Sequence, residues 1–304
     1  MNNSVTTRQA SELLDVHESS IKRWCNSDEL PYWSTPGGHR RIQIGDLVTF
    51  ARQRGISSSL AAFDSHAEAV WSGVDAAQND DYGPIVSLMY TWIDEGWSKL
   101  PAQLLEYLEL VGFDRPQIFD NVVGPSMSMV GENYGSAEIS VGDEHRMTQA
   151  MRSALLMMST ATEGVGDNGV DRPIAIVGCG PNEMHELGAL MSRLVLESEG
   201  WKVVYVGADM PTEDFAAQQS RYSAELVCIS LMNPIAQPAA ASIYRTLDLL
   251  ASRSGAYRLA IGGRSLMDRH DLAESGNAIT DAFTFSSMNS FVAWVRDDVS
   301  SVSD

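Results

Sequence analysis

The stretch IAIVGCGPNEMHELG, residues 174–188, carries the local signals that predict the fold of the C-terminal half of this chain. Its first four residues form an apolar run that predicts a buried strand, and the Gly/Pro turn after them leads into a helical pattern. His185 therefore follows the carboxyl end of a strand. Glu183 lies two residues before it, and its carboxylate can hold one nitrogen of the imidazole ring. This pairing is typical of a histidine presented to a metal.

Strands and helices alternate through the rest of the C-terminal half, after a Gly/Asp linker at 164–171. The predicted strands are 174–177, 202–206, 226–230, 258–261 and 282–285, and the predicted helices are 185–199, 212–222, 239–252, a short one near 266–273, and 287–299. The pattern indicates a doubly wound, Rossmann-like sheet of five parallel strands. A ligand is expected at the carboxyl ends of these strands, where His185, Ser230 and Gly262-Gly263 fall.

Two further regions precede this sheet, so the chain is expected to be multidomain, α and α/β. Residues 1–57 predict a winged helix-turn-helix head, with helices around Ala10–Leu14, 18–27 and 46–52, a basic loop at 35–41 and a strand at 42–44. Residues 67–164 are helical throughout. Apolar spacing in four blocks (85–93, 104–111, 118–129 and 147–158) predicts a four-helix bundle. The third predicted domain is 171–304.

Charge is unevenly distributed along the chain. The net charge is -19, yet residues 1–56 hold seven basic and six acidic residues, which leaves the remainder at -20. An acidic body with a locally basic head is typical of a regulator whose head alone contacts phosphate. The three cysteines (Cys25, Cys179 and Cys228) form no CxxC pattern and are expected to be reduced. The first seven residues do not form a signal peptide and no apolar run is long enough to cross a membrane, so we expect a cytoplasmic protein.

The head resembles the winged helix-turn-helix of the MerR superfamily, in the motifs RQAS (8–11), SIKRW (20–24) and TPGGHRR (35–41). Its second helix can enter the major groove, and its basic wing can approach the phosphate backbone. The DNA contacts are therefore expected from Ser19, Ser20, Lys22, Arg23, His39, Arg40 and Arg41. The alternative is a helical domain that binds another protein.

The C-terminal motifs resemble the cobalamin-binding fingerprint of methionine synthase-like corrinoid domains. That fingerprint reads D/E-x-H-x-x-G, then S-x-L, then G-G. Here 41 residues separate Gly188 from Ser230, and 29 residues separate Met232, which replaces the leucine, from Gly262. The resemblance implies that His185 is the lower axial ligand of cobalt and that Glu183 binds its other ring nitrogen. It also implies that Gly188, Ser230, Met232, Gly262 and Gly263 surround the nucleotide tail of the cofactor.

The helical region resembles that of the CarH/LitR-type photoreceptor repressors, whose bundle carries Trp, nine residues, then Glu-His. Tyr134 stands at the tryptophan position, and nine residues separate it from Glu144-His145. The resemblance implies that these three side chains enclose the adenosyl group of adenosylcobalamin (coenzyme B12). Gly135 stands where a known version of the pattern has a histidine. The alternative is that Tyr134, Glu144 and His145 are ordinary surface residues of a helix.

The resemblance to these repressors covers head, bundle and corrinoid domain in the same order, and it implies a light-dependent transcriptional repressor without catalytic residues. In the dark it would form a homo-oligomer, a tetramer, on operator DNA, and it would release the DNA after light breaks the Co–C bond. Two alternatives stay open. One is a corrinoid carrier for a methyltransferase, which leaves the head unexplained. The other is a regulator that responds to a signal other than light.

Overall fold

A computed structural model describes residues 4–56, 58–160, 172–232, 236–251, 256–268 and 279–297. Contacts between residues divide the chain into two compact units. The first comprises Met1–Gly112 and Asn121–Met151, and the second comprises Phe113–Asp120 and Arg152–Asp304. The predicted linker at 164–171 lies outside the described residues, and the three predicted domain boundaries stay a prediction. Within the described residues, no helix is both long and apolar enough to cross a membrane.

The first unit opens with the winged helix-turn-helix. Its elements are β1 (Ser4–Thr6), α1 (Thr7–Leu13), α2 (Glu18–Asn26), β2 (Trp33–Ser34), β3 (Arg40–Gln43) and α3 (Ile44–Arg54). The Thr6 side chain accepts a hydrogen bond from the Gln9 amide at 3.2 Å and so caps α1. On α2, Ile21 and Trp24 are buried while Lys22 and Arg23 are exposed, as the spacing predicts. The head therefore packs one face of α2 and leaves the other face open.

The wing differs from the prediction at both ends. The strand is Arg40–Gln43 rather than 42–44, and Ile44 already belongs to α3, where its side chain is buried. Gln43 has extended backbone angles and precedes the helix, so the chain changes from strand to helix without a loop. The sequence also gave no sign of β1, which pairs antiparallel with β3 on the side opposite β2. Three residues are too few for a recognisable alternation.

Within its described residues, the helical region contains six α-helices instead of the four predicted blocks. It comprises α4 (Ala67–Ala77), α5 (Gly83–Asp94), α6 (Lys99–Leu110), α7 (Arg115–Ile118), a π-helical turn (Phe119–Val123), α8 (Gly124–Gly135) and α9 (Val141–Thr160). The additional helices are α4, which was not predicted, and the short α7, which the π-helical turn separates from α8 in the third block. Trp92 on α5 is fully buried and stacks on Phe63 at 6.2 Å between ring centroids. This aromatic pair lies in the core of the first unit.

The second unit confirms the predicted α/β architecture. Its elements are β4 (Ile174–Cys179), α10 (Leu187–Ser198), β5 (Lys202–Gly207), α11 (Thr212–Tyr222), β6 (Leu226–Ser230), α12 (Ala236–Ala251), β7 (Tyr257–Gly262), β8 (Ile279–Phe285) and α13 (Met288–Asp297). All five strands are parallel, in the order β5-β4-β6-β7-β8. The order reverses between β4 and β6, so a crevice is expected at their carboxyl ends. Most of the helix predicted near 266–273 lies outside the described residues.

Residues 113–120 belong to the second unit because two of their side chains bind it. The buried Arg115 guanidinium donates to the Leu194 carbonyl oxygen at 2.9 Å. The Asp120 carboxylate accepts hydrogen bonds from the backbone amides of Met288 and Asn289, at 2.8 and 2.9 Å. These are the first amides of α13, so Asp120 caps a helix that begins 168 residues later in the chain.

Asp120→Ala removes both acceptors from the first turn of α13. Loss of a helix cap costs about 0.5–2 kcal/mol, so the free energy of unfolding should fall by about that amount. Urea denaturation followed by circular dichroism measures the change. Asp120→Asn keeps one acceptor oxygen and should lose less. Equal stability of the alanine variant and the wild type would contradict the capping role.

Candidate cofactor and nucleic-acid sites

Residues 180–186, hereafter the His185 loop, connect β4 to α10 at the carboxyl edge of the sheet. The loop is held by hydrogen bonds to the carboxylate and to the backbone amide of Asp209. The Asn182 amide donates to the Asp209 carboxylate at 2.7 Å, and the Asp209 amide donates to the Glu183 carbonyl oxygen at 2.9 Å. Asp209 follows β5, so the neighbouring strand orients the loop that carries His185.

Glu183 is the buried acid of this edge, with 4% of its surface exposed. One of its oxygens pairs with His185 Nδ1 at 2.6 Å and accepts from the His185 amide at 2.8 Å, and the other accepts from the Met232 amide at 2.7 Å. Burial by itself raises the pKa of the carboxyl. The hydrogen bonds from His185 and Met232 outweigh it, so the pKa of Glu183 lies below its ordinary value. Glu183 is therefore a carboxylate at neutral pH.

The imidazole of His185 is held on one side and open on the other. Its Nδ1 is bound to Glu183, while 62% of the side chain is exposed. Within the described residues, no group of three or more His, Cys, Asp or Glu side chains could hold a metal ion. A single imidazole suits a metal whose other ligands come from its own macrocycle. The residues at this edge therefore fit a corrinoid better than a bare cation.

Close backbone packing brings the three motif segments together at this edge. Cys179, Ser230 and Gly262 are register partners at the ends of β4, β6 and β7. A Cβ added at Gly188 would lie 2.6 Å from Ser230 Oγ, and one at Gly263 would lie 2.0 Å from the Leu231 carbonyl oxygen. Gly263 is required because backbone atoms already occupy the space of a side chain, whereas a side chain at Gly188 would have to displace the Ser230 hydroxyl.

Gly262 and Met232 complete the edge. A Cβ at Gly262 would lie 2.3 Å from the ring of Phe285 on β8. Met232 binds the site through its backbone amide, whereas its side chain is exposed. Because the amide and not the side chain binds Glu183, replacement of the fingerprint's leucine by methionine leaves that hydrogen bond intact.

The residues predicted for the upper face of the cofactor lie around the turn between α8 and α9, in the first unit. Tyr134 is near the end of α8 and 47% exposed. Glu144 and His145 are in the first turn of α9. His145 Nε2 lies 3.4 Å from a Glu144 oxygen, and the other oxygen accepts from the Thr148 hydroxyl at 2.8 Å. A Cβ at Gly135 would meet no atom within 4 Å, so packing does not require glycine there.

In the head, the wing arginines contact protein atoms. The Arg40 guanidinium donates to the Lys22 carbonyl oxygen at 3.1 Å and to Asn26 Oδ1 at 2.7 Å, and it lies over the Tyr32 ring. Arg41 donates to the Ser4 carbonyl oxygen at 3.4 Å. Both arginines therefore hold the wing against α2 and β1, besides any contact with phosphate.

The other predicted contacts of the head surround the exposed face of α2. Ser19, Arg23 and His39 are exposed, and Ser20 is half-buried. Lys22 is exposed as well, and its ammonium pairs with Glu18 one turn earlier at 3.0 Å. An exposed pair of this kind is weak, so Lys22 stays available for an anionic partner.

Sequence reasoning missed the residues around Glu186, which follows His185. Its carboxylate pairs with Arg152 Nε at 3.0 Å and accepts from the Tyr205 hydroxyl at 3.2 Å. Arg152 precedes Glu186 by 34 residues and Tyr205 follows it by 19. No local pattern could have shown that these three side chains meet.

Comparison with known proteins matches three family models to the chain. A helix-turn-helix domain matches residues 4–55, one B12 binding domain matches 99–157, and another B12 binding domain matches 173–286. The HTH-type transcriptional repressor CarH of Myxococcus xanthus is 34% identical over 223 residues, which cover 67% of this chain and 71% of that protein.

Corrinoid proteins resemble the chain more distantly. Monomethylamine corrinoid protein 2 of Methanosarcina acetivorans is 21% identical over 128 residues, covering 42% of this chain and 59% of that protein. The solved structure of the Methanosarcina barkeri monomethylamine corrinoid protein is 19% identical, with a TM-score of 0.52 over 69% of this chain and 96% of that one. The structural likeness concerns the fold.

Glu183→Gln tests the buried carboxylate through the pH dependence of stability. Because the pKa of Glu183 is lowered by folding, its charge stabilises the fold above the ordinary value of 4.5, and this contribution is lost as the pH falls through the folded-state value. At pH 7 the free energy of unfolding of the variant should be about 1–3 kcal/mol lower than that of the wild type.

The gap between Glu183→Gln and the wild type should start to narrow below the ordinary pKa of 4.5, because the unfolded wild-type chain then takes up a proton that the folded Glu183 carboxylate, with its lowered pKa, still resists. Urea titrations at pH 7 and at pH 4 measure the gap. Glu106→Gln, at an exposed glutamate of α6, is the control and should show little change at either pH. A gap of the same size at both pH values would disprove the role of the charge.

Proposed function

Because this chain belongs to the CarH-type family of B12-binding transcriptional regulators, we propose that it is a light-responsive repressor with adenosylcobalamin as its sensor. It is a regulator rather than an enzyme. The observation that carries the proposal is the buried Glu183 carboxylate, which holds an exposed His185 imidazole at the carboxyl edge of the sheet. The same chain carries a helix-turn-helix head, so cofactor and DNA binding meet in one molecule.

His185 is proposed as the lower axial ligand of cobalt. Its Nδ1 stays on Glu183, which orients the ring and raises its basicity toward the metal. Gly188, Ser230, Met232, Gly262 and Gly263 meet around the same edge and would border the nucleotide tail. When bound, adenosylcobalamin supplies a Co–C bond that visible light cleaves.

Tyr134, Glu144 and His145 are proposed to hold the adenosyl group in the dark. All three lie within the stretch that matches a B12 binding domain, residues 99–157. Glu144 would accept hydrogen bonds from the ribose hydroxyls, and the Tyr134 ring would pack on the adenosine. Loss of the adenosyl group would deprive these side chains of their partner, which would relax the α8–α9 turn and weaken the oligomer.

The DNA contacts are proposed on α2 and the wing, at Ser19, Ser20, Lys22, Arg23, His39, Arg40 and Arg41. One head has a net charge of only +1, and the neutralised phosphates supply much of the affinity for DNA. Useful affinity therefore needs several heads on one operator, which a dark tetramer would provide. Loss of the tetramer would release the DNA without any change in a single head.

Size exclusion and operator binding, measured with adenosylcobalamin before and after green light, test the switch. We expect the mass of the complex to fall on illumination and the affinity for DNA to fall at least tenfold, because fewer heads are joined. Methylcobalamin, which lacks the adenosyl group, is the control ligand and should not produce the dark oligomer. Identical mass and affinity in dark and light would disprove light sensing.

His185→Ala tests the lower ligand. The variant should lose the spectral signature of axial imidazole and retain cobalamin about 10–100-fold less tightly. Met184→Ala changes the exposed neighbour in the same loop and should keep both properties. Absorption spectra and dialysis of the loaded proteins measure them. An unchanged spectrum of His185→Ala would rule out ligation by this residue.

The likeness to monomethylamine corrinoid proteins favours a second candidate, a corrinoid carrier for a methyltransferase. It accounts for the B12 binding domains but leaves the helix-turn-helix head without a role. Methyl transfer from methylcobalamin-loaded protein to a thiol acceptor, with a candidate methyltransferase, distinguishes the two functions.

A further inference from the structure

Glu186 connects the His185 loop to β5 and to the part of α9 that belongs to the second unit, which begins at Arg152. One carboxylate oxygen pairs with Nε of Arg152 on α9 at 3.0 Å, and the other accepts from the hydroxyl of Tyr205 on β5 at 3.2 Å. Glu186 is also the residue before α10, and its carbonyl oxygen accepts from the Leu190 amide at 2.9 Å. Glu186, the residue after His185, therefore has hydrogen-bond partners on α9, β5 and α10.

The environment makes this network stronger than a surface ion pair. The side chains of Arg152 and Glu186 are 35% and 23% exposed, whereas those of the surface pair Arg8–Glu12 are 81% and 62% exposed. Solvent and salt screen a partly buried pair less. Burial raises the pKa of Tyr205, and the Glu186 charge raises it further, so the hydroxyl stays protonated and donates.

We infer that Arg152 and Tyr205 are positioning residues that hold the His185 loop through Glu186, and that Arg152 makes the orientation of His185 depend on α9. The inference rests on the proposed function for the role of His185 toward cobalt. It adds to that function a route by which a change at the residues proposed to hold the adenosyl group reaches His185, the proposed lower ligand.

Helix α9 joins the two sets of proposed cofactor residues along one element. It runs from Val141 to Thr160, so Glu144 and Arg152 lie on the same helix, about 12 Å apart along its axis. Glu144 is proposed to bind the adenosyl group. When that group is lost, a shift of α9 would move Arg152 relative to Glu186. A packed network of this kind transmits such a shift because it has few alternative arrangements.

Arg152→Gln removes the charge and keeps much of the side-chain length, and Arg152→Lys restores the charge. Nuclear magnetic resonance of histidine-labelled protein without cofactor reports the His185 ring, assigned with His185→Ala. In the wild type one ring environment is expected. In Arg152→Gln we expect a second or broadened signal, and in Arg152→Lys substantial recovery of the single signal.

The cofactor-loaded protein supplies the second readout. In the Co(II) state, electron paramagnetic resonance shows the nitrogen coupling of an axial imidazole. We expect Arg152→Gln to lower the histidine-ligated fraction roughly threefold or more, since remote partners of a ligand affect it less than the direct one. Arg296→Gln, which breaks the pair with Glu199 elsewhere in the second unit, is the matched control and should leave both readouts unchanged.

The outcomes distinguish the positioning role of Arg152 and Tyr205 from the proposed ligation of cobalt by His185. If Arg152→Gln folds and keeps both wild-type readouts, the positioning role is wrong. If Arg152→Gln does not fold, Tyr205→Phe decides, because it removes only one hydroxyl. A wild-type His185 signal in folded Tyr205→Phe would overturn the inference. Absence of nitrogen coupling in the wild type would refute the lower-ligand proposal, while the cofactor-free spectra would still test the loop.

Discussion

The cofactor edge of this protein depends on the burial of one carboxylate, that of Glu183. A buried charge is costly unless hydrogen bonds replace its water, and Glu183 obtains three of them from two segments, His185 and Met232. The same bonds join the loop after β4 to the loop after β6. The carboxylate that orients the imidazole therefore also joins the carboxyl ends of β4 and β6.

Glycines set how closely those segments approach. A side chain at Gly263 would overlap the Leu231 backbone, and one at Gly188 would overlap the Ser230 hydroxyl, so the lack of a side chain at each glycine lets these segments lie in close contact. The backbone ladder continues across the edge, with Gly180 bound to Ser230 and Leu231 bound to Gly262. Rigid backbone, rather than flexible side chains, thus supports the exposed His185 ring.

The head and the body of the chain use charge in different ways. The head is nearly neutral, and the wing arginines Arg40 and Arg41 already bind α2 and β1. These two arginines therefore hold the wing in place, besides any contact that they make with phosphate. With an acidic body, such a head is consistent with the proposed function, in which several heads act together on one operator.

The alternation of five strands with helices, the winged head, the corrinoid motifs and the pairing of Glu183 with His185 were predictable from the sequence. Each depends on periodicity or on spacing within a short segment, which local chemistry specifies. The folded chain was needed to show that Arg152 and Tyr205 meet at Glu186, that Asp120 caps α13, and that Phe285 fills the space at Gly262. Such contacts join residues far apart in the chain, and their geometry follows from the packing of whole elements, which leaves no local trace in the sequence.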